Sequence, residues 1–345
     1  MNKIQDFLTK KESPAMEGLY EYVNGVKDQI SASSAAIYII QGDQVIGEWY
    51  AGADPSTQKK ADEETRYNVF SVRKSYIGLA VAILLKEGKI ASIDEPVSTY
   101  LGDHVLYEGL TIRHLVTHTH GLDEKQGIFS RIHPVGEGWD YNNGGLSLLY
   151  EIIRKVSGKT VSKILDEHVF NILQFTETGW ETKCSPTMTA DVNEQCEPTI
   201  RLGDDTGFER NLFVSARELA HWGYLHLKKG RIKGTRVLEE SLFDVSTAIH
   251  TPISFKNGPQ NGFFWFQNEN NFHLSELGEE LPPGSYQILG ASGCTCLVIP
   301  EYEAVAVRML NKRGNPPGYD YLKDVQTFGN RVNAILSNQL QGTRS

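Results

Sequence analysis

At 345 residues the chain exceeds the size at which a single hydrophobic core usually stops growing, so one large domain or two interleaved ones are expected. Its 40% hydrophobic and 22% charged content is that of an ordinary globular protein. A net charge of −9 with no run of six like charges argues against a phosphate-backbone partner, so no nucleic acid is expected.

The first twelve residues carry charge but no apolar h-region and do not read as a signal peptide. The longest apolar stretch, 77–85, is too short to span a bilayer. A cytoplasmic, membrane-free protein is the expectation, with a mature secreted form as the alternative. Cys184, Cys196, Cys294 and Cys296 read as reduced thiols, the last two as packing residues on one strand face.

In chain order, 17–29 reads as an opening helix. Runs 35–40 and 44–51 form a hairpin about Gln41-Gly42-Asp43. Helical segments follow at 71–87, 145–156, 161–172 and 215–229, with Gly88, Gly158 and Gly230 as stops. Strand-like runs return at 262–267, 286–289, 295–299 and 303–310, with a turn at Pro300-Glu301, and a helix over 319–336 closes the chain. Hairpins at both ends join one sheet only if the helical middle is an insertion. The expected fold is therefore α/β (α+β), an antiparallel sheet flanked by helices. Residues 1–70 and 255–345 build it, with a mostly helical lobe, 71–254, inserted and an active-site cleft between.

Ser-x-x-Lys occurs twice. Ser56–Lys59 lies in a polar loop, whereas Ser71 opens a helix that is apolar nearly all round. A capping serine favours an acid three residues on, yet Lys74 stands there, a cation at the positive end of the helix dipole. Burial and the dipole both lower a lysine's pKa, so a neutral Lys74 is expected to take the Ser71 proton.

Further stretches accompany this pair: Phe70-Ser-Val-Arg-Lys-Ser-Tyr, Leu110-Thr-Ile-Arg-His-Leu-Val-Thr-His-Thr-His-Gly-Leu, Gly138-Trp-Asp-Tyr-Asn-Asn-Gly-Gly, Phe213-Val-Ser-Ala-Arg-Glu-Leu-Ala and Leu297-Val-Ile-Pro-Glu. Taken in order, they resemble the class C β-lactamase and penicillin-binding-protein superfamily of serine hydrolases. His120 stands where that family usually has Ser. The resemblance implies a Tyr-x-Asn element at Tyr141–Asn143. Tyr141 is then a second base and proton donor, its pKa lowered by the Lys74 cation, and Asn143 orients Lys74 and the substrate. A second fit to the pattern, Tyr22–Asn24, lies in the opening helix.

The family's third element, Lys-Thr-Gly or His-x-Gly, is matched by Gly290-Ala-Ser-Gly-Cys, with Ala291 replacing the cation. Lys256-Asn-Gly258 and Lys312-Arg-Gly314 fit the pattern but lie at turns. Ser292 and Gly293 then approach the substrate, and the N–H groups of Cys294 and Ser71 form the oxyanion hole.

The expected function is an acyl-enzyme serine hydrolase on a small ester or amide, needing no cofactor, with weak or no β-lactamase activity. The alternatives are a true β-lactamase, a D,D-peptidase or D-aminopeptidase, and a non-catalytic binding module. His114, His118, His120 and Asp123 suggest a metal site, but the spacing is off by one and no second cluster completes it. No metal is expected.

Overall fold

A computed structural model describes residues 3–255, 258–268 and 275–342. Its main feature is an eight-stranded sheet in the order Thr9–Lys10, Gln44–Gly52, Ser34–Gln41, Ala304–Leu310, Thr295–Ile299, Tyr286–Leu289, Phe266–Gln267, Gln260–Asn261. The first pair runs parallel and the others antiparallel. The two chain ends meet at its centre, from Ala304 opposite Gln41 to Leu310 opposite Ala35.

Both central strands are rich in Ala, Val and Ile and buried on both faces, the pattern of a sheet covered on two sides. Ile37, Ile39 and Leu297 pack with Leu19 and Val23 of the helix Glu17–Gln29 and with Val325 and Phe328 of Tyr321–Gly342. Tyr38, Val298 and Val305 face the opposite way, into a core shared with Leu219 and Trp222 of the helix Ala216–Leu227. That helix belongs to the stretch 71–254 yet lies on the sheet. Gly223 makes this possible, because a Cβ there would meet Val305 Cγ1 at 2.6 Å and Cys296 Sγ at 2.8 Å.

Three expectations shift. The run 262–267 is not one strand: Phe264 adopts a positive φ of 67°, and Gly262 N–H bonds Trp265 O, folding it into a tight hairpin. The segment 161–172 divides into Val161–Leu165, a π-type turn Asp166–Phe170 and Asn171–Leu173. A small sheet is added, with Leu212–Ser215 between Arg66–Asn68 and Thr178–Trp180. No helix among the described residues is long and apolar enough to cross a membrane.

The close approach at Gly223 gives a stability test. Gly223→Val overpacks the interface between helix and sheet and is expected to cost about 1–3 kcal/mol. Urea denaturation checks this; an unchanged midpoint would show that the contact is not tight.

Candidate active site

The small sheet delivers the nucleophile candidate. Its strand Arg66–Asn68 leaves the sheet through Val69, whose N–H bonds Leu212 O, into Phe70 at φ 45°. A bulky residue in this left-handed region is held there at a cost on the order of 1–3 kcal/mol. Asn68 supplies the restraint: its Oδ1 accepts the Phe70 N–H at 3.0 Å and its Nδ2 donates to Arg210 O at 3.0 Å. The sharp bend starts a 3-10 turn, Phe70–Val72, that runs into the helix Arg73–Lys86 and leaves Ser71 partly open at the edge of a cavity of about 420 Å³.

Lys74, three residues on, is 1% exposed. Its Nζ has no hydrogen-bond partner among the described residues and lies 3.7 Å from the centre of the Tyr141 ring. Burial, then the Arg73 and Arg210 charges, hold its pKa well below the ordinary lysine value. Arg73 is itself buried and pushed down to about 10, chiefly by that burial.

Tyr141 is two-sided. As a residue it is 43% exposed, and its hydroxyl lies near enough to Ser71 to act on it. The expectation of a lowered Tyr141 pKa is corrected: burial raises it, outweighing Ser71 and the Arg73 charge. Lysine down and tyrosine up describe a neutral amine beside a neutral phenol, not an ion pair.

The loop carrying Tyr141 is braced by Asp140 N–H to His118 O at 3.0 Å and Trp139 Nε1 to Asn261 Oδ1 at 2.8 Å. Asn142 bridges Asp140 Oδ2 and the Gly144 N–H. The expected bond from Asn143 to Lys74 is not made. Asn143 precedes the helix Gly144–Ser157, and its carbonyl accepts the N–H groups of Leu146 and Ser147.

The histidines have separate tasks. His114 closes a capping box with Thr111, and His120 Nδ1 accepts the Leu122 N–H. His118 packs 4.8 Å from Tyr141 and 5.4 Å from Phe264, ring centre to ring centre. Burial above all keeps all three neutral: His114 falls to about 4, His120 to about 3, and His118 far below its usual value. No group of three potential metal ligands occurs among the described residues.

The structure shifts the third element. The strand Tyr286–Leu289 ends before Gly290, whose N–H bonds Cys294 O while its own carbonyl accepts the Gly293 N–H. Gly290 and exposed Ala291 line the cavity with Ser71, while Ser292 and Cys294 lie buried behind them. Among the described residues no backbone group accepts from Ser71 N–H or Ala291 N–H. Of the residues in this turn, Ala291 lies at the cavity beside Ser71 and Cys294 does not, because the chain turns at Gly290. Arg308 holds the turn from below, donating to Gly293 O at 3.1 Å. It is ion-paired at 2.9 Å with Asp324, which also accepts from Tyr22 and Tyr319.

The decoy motifs lie elsewhere. Ser56 is exposed, Tyr22 is engaged by Asp324, and Lys312 Nζ bonds Asn193 O. Lys256 and Asn257 lie outside the described residues. One cavity residue had no sequence signal: Glu276, inside an acidic stretch that reads as a solvated loop, lines the same cavity as Ser71.

Comparison with known proteins matches residues 10–328 to the β-lactamase family, and the chain belongs to that family. An uncharacterized protein of Alkalihalophilus pseudofirmus is 37% identical over 334 residues, covering 95% of this chain and 99% of that one. More distant relatives are longer, the chain spanning 34 to 53% of their length. Among solved structures, a class C β-lactamase in complex with cefoxitin superposes with TM-score 0.76 at 14% identity, covering 93% of this chain and 98% of that one. EstCE1, a hydrolase with promiscuous acyltransferase activity, gives 0.71 at 17%, covering 92% and 100%. At these identities the structural likeness establishes the shared fold.

The buried amine makes a stability prediction. Between the depressed pKa of folded Lys74 and the unfolded value of about 10.4, only the unfolded chain binds the proton, so Lys74 makes stability rise with pH. Lys74→Met is expected to raise the urea midpoint at pH 7, with a gain that shrinks as pH climbs toward that value. Parallel pH profiles for the two proteins would contradict the assignment.

Proposed function

We propose that the protein is a serine hydrolase that forms an acyl-enzyme at Ser71 with an ester or amide substrate. The observation that carries this reading is a lysine amine buried without a hydrogen-bond partner among the described residues, one helical turn from a serine at the cavity edge and against a tyrosine ring. Ser71 Oγ attacks the substrate carbonyl, and the proton it loses passes to the Lys74 amine. Oγ–C bond formation places negative charge on the former carbonyl oxygen, which the N–H groups of Ser71 and Ala291 stabilise. Collapse of that intermediate expels the alcohol or amine, which takes a proton from the Tyr141 hydroxyl, itself replenished from Lys74. Water then repeats the sequence on the Ser71 ester and releases the acid.

Tyr141 is suited to donating because burial keeps it protonated, and Lys74 to accepting because burial keeps it free of its proton. Among the described residues, no lysine or arginine lines the cavity. A β-lactam or peptide carboxylate therefore lacks a counter-charge there, which favours substrates without a carboxylate. We further propose the two-lobed division into 1–70 plus 255–345 and 71–254, with the cleft between.

Ser71→Ala is expected to abolish labelling by a fluorophosphonate probe in intact-mass spectrometry. It should also lower p-nitrophenyl ester turnover by about 10³-fold or more. Equal labelling of both proteins would remove Ser71 from the mechanism. Hydrolysis of a cephalosporin should trail a short-chain p-nitrophenyl ester by about 10- to 100-fold in kcat/KM, the worth of one charge-assisted hydrogen bond. Comparable efficiencies would restore the β-lactamase reading.

A further inference from the structure

The cavity beside Ser71 combines one acid with several aromatic rings. Trp139, Tyr141 and Phe266 form a cluster, with ring centres 6.1 to 6.3 Å apart, and Tyr321 adds a fourth ring to the lining. Glu276 sits among them, close enough for its charge to act on the hydroxyls of both Tyr141 and Tyr321. Its Oε2 is enclosed and has no hydrogen-bond partner among the described residues. Its main-chain carbonyl accepts from Gln287 Nε2.

A carboxylate kept for stability at such a depth is normally paired, since leaving one buried and unpaired is costly. Among the described residues Glu276 Oε2 has no such partner, and burial, offset only by the residue's own backbone, pushes its pKa up to about 7. An aromatic enclosure with a carboxylate whose Oε2 is left without a partner is suited to a cationic nitrogen: the acid supplies the counter-charge, and the ring quadrupoles add attraction within about 6 Å. The same arrangement repels an anion.

We propose that this cavity is an ammonium-binding pocket, with Glu276 as counter-ion and Trp139, Tyr141, Phe266 and Tyr321 as walls, so that the substrate is an ester or amide whose acyl group bears a cationic nitrogen. The substrate class rests on the acyl-enzyme reading of Ser71; the cation site itself does not. At about 420 Å³ the cavity admits a small acyl chain with its head group. Glu276 acts on binding and orientation, and the bond-making steps remain those of Ser71, Lys74 and Tyr141.

The test compares p-nitrophenyl 4-(trimethylammonio)butanoate with its neutral carbon isostere, p-nitrophenyl 5,5-dimethylhexanoate, and with mono-p-nitrophenyl glutarate. The expected order of kcat/KM is cationic, neutral, anionic, with a cation-to-isostere ratio of about 10 or more at pH 8, as one partly desolvated charge pair plus cation–π contact would give. The ratio should rise between pH 6 and 8 as Glu276 ionises; the substrate charge is permanent, and titration of Lys74 cancels between the two esters. Glu276→Gln should lower the ratio severalfold, to what the rings alone give, and flatten its pH dependence, while Glu276→Asp retains part of both. A wild-type ratio near 1, or one unchanged in Glu276→Gln, overturns the proposal. If wild type and Ser71→Ala turn over the neutral ester alike, the acyl-enzyme reading fails instead. The pocket is then judged by tetramethylammonium quenching of tryptophan fluorescence: saturable quenching lost in Glu276→Gln supports it, and quenching alike in both proteins overturns it.

Discussion

An ammonium group cannot be buried without a partner, and Lys74 is buried without one. Among the described residues no carboxylate or carbonyl accepts from its Nζ, which faces the Tyr141 ring in the field of Arg73 and Arg210. The cost of enclosing a lone charge is lowered by giving up the proton. Everything that makes the helix Arg73–Lys86 a good core element, its continuous burial from Arg73 to Leu84, therefore also makes its lysine a free amine. Packing and proton chemistry share one cause here.

That amine is useful only if a hydroxyl and an electrophile-binding turn meet it, and these come from different parts of the chain. The small sheet and Asn68 force Phe70 into its strained bend and aim Ser71 at the cavity. The Gly290 turn arrives from the C-terminal strands, carried by a sheet whose centre joins residues 34–41 to 304–310. Arg308 lies on the second of these strands and clamps the turn from beneath through Gly293 O. Its pairing with Asp324 ties that clamp to the last helix and, through Tyr22, to the first. The antiparallel joining of the chain ends is thus what sets the Gly290 turn beside Ser71 at the cavity.

Much of this was legible from residue pattern. The sheet strands were visible because β-branched runs are bounded by turns such as Gln41-Gly42-Asp43, and the helix 17–29 because its apolar spacing is regular. Ser71 was separable from Ser56 because only one of them opens an apolar helix. What escaped depends on contacts distant in sequence. The strands Arg66–Asn68 and Leu212–Ser215 are too short to show a period and exist through each other. The Tyr141 pKa was misjudged in sign because proximity to a cation was visible in sequence and enclosure of the hydroxyl was not. That Ala291 rather than Cys294 reaches the cavity was not visible, because a turn's position by a few residues is beyond pattern reading. Glu276 had no local signal, since its acidic neighbourhood resembles a solvated loop.

The central claim is that Lys74 is a neutral amine at neutral pH in the folded protein. Carbon-13 NMR of protein labelled at lysine Cε, recorded from pH 6 to 11 with Lys74→Ala for assignment, tests it directly. The account predicts one resonance at the neutral-amine shift at pH 7, absent from Lys74→Ala, while the remaining lysines titrate near their ordinary value. A Lys74 signal that stays protonated until about pH 10 would contradict it.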